Sequence, residues 1–124
     1  MQTKIAALLV VASTADLSTK EGYFLQPDGT LPTAATDVPL GVIVDGRDKS
    51  ADVAVPPGAP GIFHVKLSGT PGTVNRGTYL VLHTDGSAKA DGGTGARVRV
   101  ARALESGAAD ELISAVLLAP QVLS

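Results

Sequence analysis

Gly61-Ile62-Phe63-His64-Val65-Lys66-Leu67-Ser68 alternates without a break, placing Phe63, Val65 and Leu67 on one side of an extended chain and His64, Lys66 and Ser68 on the other. A period of two marks a strand with one dry face and one wet face. Ala96-Arg97-Val98-Arg99-Val100 repeats the pattern, with Val98 and Val100 pointing away from Arg97 and Arg99. These two segments decide the fold class, and the rest of the chain is read outward from them.

Turn signals flank them at close intervals: Pro27-Asp28-Gly29, Asp45-Gly46, Pro57-Gly58, Pro60-Gly61, Pro71-Gly72, Asp85-Gly86 and Asp91-Gly92-Gly93. Asp-Gly tolerates the positive φ of hairpin turns, and Pro-Gly suits the central pair of a type II turn. The segments between them predict strands near Ile5 to Ala12, Gly22 to Gln26, Leu40 to Asp45, Asp52 to Val55, Gly61 to Ser68, Thr78 to His83, Ala96 to Leu104 and Leu112 to Leu118. Many short strands at this spacing predict an all-β protein, a small β-barrel or sandwich. Ala101 to Leu118 also suits a helix, although Gly107 and the turn composition of Ser106 to Asp110 favour two strands joined by a loop. Ala51 to Pro60 reads as the longest surface loop, too short to be a domain boundary. The chain divides into residues 1–15, an N-terminal arm or first strand, and 16–124, a single β-rich domain.

At 124 residues, one domain can bury roughly two thirds of its unfolded surface. With no cysteine, disulfides and thiolate metal sites are excluded. The net charge is -2, with acids and bases scattered instead of clustered, so neither nucleic acid nor a membrane is expected as a partner. Phosphate neutralisation needs grouped Lys and Arg. Tyr23, Phe24, Phe63 and Tyr79 are the whole aromatic set, too few for a base-stacking platform. Lys4, the apolar run Ile5 to Ala12 and the small residues Ser13 to Ala15 have the outline of a short secretory signal, but the run is short and one cation precedes it. It is far too short to span a bilayer as a helix.

The residues that could carry chemistry do not converge in sequence. His64 and His83 each sit on a predicted strand, in no metal-ligand spacing. No serine occupies a G-x-S-x-G elbow. Among Asp28, Asp45, Asp48, Asp85 and Asp91, all but Asp48 immediately precede a glycine, so turn chemistry accounts for them without acid/base catalysis. No calcium loop or phosphate-cradling glycine motif is present. The expectation is a protein with no enzymatic activity and no cofactor. Asp48-Lys49 resembles the hairpin of biotinyl or lipoyl carrier domains, which would make Lys49 an attachment site. The likeness covers about ten residues, and Gly46 and Arg47 depart from the carrier pattern.

A resemblance that spans the chain is carried by the order of its motifs. After the N-terminal apolar run come Leu17-Ser18-Thr19-Lys20-Glu21-Gly22-Tyr23-Phe24, then Gly41-Val42-Ile43-Val44-Asp45-Gly46, then Val53 to Val55 and Gly61 to Leu67. Gly77 to Leu80, the Asp85-Gly86 hairpin and Ala103 to Ile113 follow, with Val116-Leu117-Leu118 closing the pattern. In this order the chain resembles the capsid decoration, or cement, proteins of tailed bacteriophages. The resemblance implies a compact β-barrel-like fold and no catalysis. It also implies a homotrimer bound to the major capsid protein on the capsid surface of the virion. A tail-tube or baseplate β-protein would share the composition.

Ile5 to Ala12 is apolar on both faces of a strand, and such a strand must be covered on both. Two readings follow. In one, Met1 to about Ala15 is an attachment arm that orders against the capsid or a neighbouring subunit, offering Thr3, Ile5, Leu8, Leu9, Val10 and Val11 by β-augmentation. Eight residues at about 3.3 Å each reach roughly 26 Å. In the other, the run is the central strand of the domain's own barrel.

Overall fold

A computed structural model describes residues 8–56, 62–69 and 73–124. Its strands are β1 (Leu8–Asp16), β2 (Phe24–Leu25), β3 (Gly41–Ala54), β4 (Ile62–Lys66), β5 (Tyr79–Leu82), β6 (Ala88–Ala90), β7 (Arg97–Ala103) and β8 (Leu112–Leu123), with no helix among the described residues. They form two antiparallel sheets, β1-β3-β2 and β4-β8-β7-β5-β6, stacked as a sandwich.

The alternating segments behave as their periodicity requires. Val65 and Leu67 are buried and Phe63 packs against the same core, while Ile62 and His64 face out. Val98 and Val100 are buried between the sheets. Ala101 to Leu118 resolves into strands, with Ala103 of β7 opposite Ala115 of β8. The core between the sheets takes Phe24, Val42 and Ala54 from the smaller sheet and Val65, Leu80, Leu82, Val98, Ile113 and Ala115 from the larger one. A second cluster, Val11, Leu17, Leu25, Ile43, Ala51 and Val53, lies on the far face of the smaller sheet, with Tyr23, Leu31 and Leu40 packed against it. At about 25 cal/mol per Å² of apolar surface, each fully buried Leu, Ile or Phe contributes on the order of 1.5–3 kcal/mol.

The structure corrects the expectation of two strands at Leu40 to Asp45 and Asp52 to Val55. They are one strand of 14 residues, β3. Asp45-Gly46 is therefore not a turn. Arg47 spans Asp45 (3.1 Å) and Asp52 (2.9 Å) along the strand, and a Cβ on Gly46 would collide with the Leu17 carbonyl. The glycine admits a close backbone approach, the other use of that residue. The long loop expected from Ala51 is corrected with it: Ala51, Val53 and Ala54 are fully buried strand residues, and 57–61 lie outside the described residues. Two further bounds shift. β8 runs on to Leu123, and β6 follows the Asp85-Gly86 hairpin, where no strand was expected.

The two sheets are tied at Gly22, whose N–H donates to the Ile43 carbonyl (2.9 Å) and whose carbonyl accepts from the Lys66 N–H (2.9 Å). Its φ is +87°, and a Cβ there would meet the Lys66 nitrogen at 2.9 Å. Only glycine fits both the conformation and the space.

Candidate interaction surfaces

Of the residues expected to make an interface, Thr3 and Ile5 lie outside the described residues. Leu8, Leu9, Val10 and Val11 lie in β1, antiparallel to β3 with Leu8 opposite Ala54 and Val11 opposite Ala51. The described part of the N-terminal run is thus a strand of the domain's own sheet, but at its edge and not at its centre. Only Val11 is buried; Leu8, Leu9 and Val10 are 51%, 50% and 68% exposed. Strand neighbours point to opposite faces, so β1 shows apolar side chains to solvent on both. No charged residue or proline interrupts it before Asp16, and those are the devices by which edge strands are kept from pairing.

Lys49 is exposed, but it lies inside β3 and not at a hairpin tip. It takes φ +66° where the register with β1 slips between Ala12 and Asp16, setting Ser13 to Ala15 against one residue of β3. A bulge accounts for its backbone, and the geometry expected from the carrier resemblance, a lysine on a turn between two strands, is absent there.

The aspartates mostly clasp turns. Asp28 accepts from the Thr30 hydroxyl (2.6 Å) and N–H (3.0 Å), bonds that hold its carboxyl below the usual range. Asp85 accepts from the N–H and hydroxyl of Ser87; burial raises its pKa, and these bonds more than offset that. Asp91 does more. Its side chain is 7% exposed and bonds Arg97 Nε (2.6 Å), Arg99 NH2 (2.7 Å) and the Gly93 N–H (2.9 Å). Burial pushes its pKa up, but Arg99, Gly93 and Arg97 together bring it down to about 2. It locks the loop after β6 onto β7. His64 is exposed on β4, and His83 is half-buried at the end of β5 with Nδ1 unpartnered. No group of three or more His, Asp or Glu among the described residues could hold a metal ion.

One surface was not legible in the sequence. Register places Ile62 of β4 opposite Val116 of β8, Val116 opposite Arg102 of β7, and Arg102 opposite Tyr79 of β5. Cross-strand partners share a face, so these side chains form one row across the outer side of the larger sheet. Ile62 is 64% exposed. The Tyr79 ring lies under the Arg99 guanidinium (4.1 Å to the ring centre) and that of Arg102 (5.1 Å). Beside it an open depression of about 440 Å³ is lined by Arg76, Tyr79, Arg102, Val116 and Leu118, among others. The alternation of β4 announced its outward side, but nothing local says which residues of β5, β7 and β8 stand next to it.

Comparison with models of known protein families finds no match, and no curated protein matches the chain.

Proposed function

We propose that this chain is a capsid decoration protein, a non-catalytic structural component that binds the major capsid protein on the outer surface of a tailed-phage virion and acts as a homotrimer. The order of motifs from Leu17 to Leu118 supports the reading. The observation that carries it is the edge strand β1, with Leu8, Leu9 and Val10 exposed on both faces and, among the described residues, no strand paired along its outer edge. Such a strand suits β-augmentation, in which main-chain hydrogen bonds supply affinity and flanking side chains fill pockets on the partner.

The test is Val10→Lys. Val10 stands opposite Asp52, so a lysine there gains an acidic neighbour and the fold keeps its stability within about 0.5 kcal/mol, as for other exposed sites. The full chain co-sediments with undecorated capsids, and the variant loses that binding. A wild-type chain that stays in the supernatant, or a variant that binds as well as wild type, overturns the reading.

A further inference from the structure

We infer that the outer face of the five-stranded sheet, centred on the row Ile62, Val116, Arg102 and Tyr79, is where a second copy of this chain docks, presenting its Asp16–Asp48 pair to Arg102 and Arg76. The inference rests on the proposed homotrimer and names the surfaces that make it.

The face has the chemistry of a contact. Tyr and Arg are enriched in protein interfaces, where buried anchors carry most of the energy. Here Tyr79 lies under both Arg99 and Arg102. Arg99 is fixed in turn by Asp91, and Arg102 donates from Nε to the Gly77 carbonyl (3.0 Å). Side chains ordered in advance lose less entropy on association. Ile62, Val116 and Leu118 supply apolar area next to this stack.

Charge identifies the occupant. Among the described residues no ion pair takes up Arg76 or Arg102, and none takes up Asp16 or Asp48. On the smaller sheet Asp16 and Asp48 stand directly opposite each other in register. Both are exposed, and Asp16 accepts from the Ser18 N–H (3.0 Å), which holds its carboxyl below the usual range. The opposite charge is carried by a neighbouring copy's Arg102, on β7, and Arg76, in the loop before β5, neither of them in an ion pair among the described residues. Two arginines beside an apolar row on a chain of net charge -2 suit a carboxylate-bearing protein surface and not a polyanion, which calls for clustered bases. A face-to-face pairing of two identical patches would oppose arginine to arginine, whereas a head-to-tail contact joins unlike patches and closes into a ring when its rotation allows. The acidic pair lies at the far end of β1 from Leu8 to Val10, so docking between copies leaves the apolar end free for the shell.

Sedimentation equilibrium of the full chain over a range of concentrations tests this, with Arg102→Glu, Asp48→Arg and the double variant alongside wild type. Wild type associates beyond the monomer. Each single reversal weakens association about tenfold or more, and the double variant recovers most of it, because close charge pairs across an interface couple strongly. Thermal unfolding checks that each variant is folded; should Arg102→Glu unfold, the exposed Asp48→Arg paired with Arg76→Glu repeats the cycle. A monomeric wild type, single variants that associate like wild type, or a double variant as weak as the singles would each overturn the inference. Capsid co-sedimentation separates it from the functional reading: a chain that binds capsids yet fails these tests keeps the decoration role and loses this interface, and one that passes them but ignores capsids does the reverse.

Discussion

Leu8-Leu9-Val10-Val11 and Gly41-Val42-Ile43-Val44 are near-identical as chemistry, short apolar runs with no polar face, and the fold treats them in opposite ways. In β3, Val42 is sealed into the core between the sheets and Ile43 into the cluster on the far side, at 0% and 1% exposure. In β1, three of the four residues stand half or more in water. The difference is position in the sheet. β3 is the middle strand, with the larger sheet over one face and the segment from Leu17 to Leu40 over the other. β1 lies outside it, where that cover runs out after Val11. An apolar run therefore announces a need for cover on both faces without saying whether the domain itself provides it. Where the domain does not, as at Leu8, Leu9 and Val10, the run is left exposed.

The sharpest break of this comparison is to subtract the same kind of side chain from each run. Ile43→Ala leaves a cavity in a packed cluster and destabilises by about 2–5 kcal/mol, whereas Leu9→Ala changes chemical denaturation by no more than about 0.5 kcal/mol. Equal losses would mean that β1 is covered after all. The cover over β3 depends on the tie at Gly22, so Gly22→Ala, which forces a side chain into φ +87° against the Lys66 nitrogen, destabilises by about 1–3 kcal/mol. It acts on both sheets at once, and no change at β1 does.

A buried charge in the loop between β6 and β7 extends the contrast to pH. Asp91 titrates near 2 in the folded chain, from a reference value of 3.8. A carboxylate with a depressed folded pKa contributes stability that is fully present above about pH 4 and is lost as pH falls toward 2, at most about 2 kcal/mol. Asp91→Asn flattens that stretch of the stability–pH curve. The smallest expected effect lies on the exposed run itself, where Val10→Lys leaves unfolding within about 0.5 kcal/mol of wild type while abolishing capsid co-sedimentation.

Local rules made a large part of this molecule legible. The period of two in Phe63 to Leu67 and in Arg97 to Val100 sorted buried from exposed side chains, because alternation is a property of the strand alone. Asp28 and Asp85 were turn residues on the same local grounds, each bonding to a residue two positions on. Asp45-Gly46 carried the same signature and became strand, since the two sides of that decision are separated only by what packs nearby: Leu17 lies against Gly46, and Arg47 gathers Asp45 and Asp52. The sequence by itself determined that the chain is all-β, which faces of its alternating strands are dry, and that the N-terminal run is apolar on both sides. Tertiary structure alone decided that β3 and not β1 is the doubly covered strand, that Lys49 sits in a bulge, and that Ile62, Val116, Arg102 and Tyr79 form one row. Each of these depends on register between strands far apart in the chain, and register is settled by packing summed over whole sheets, of which no single segment carries more than its own share.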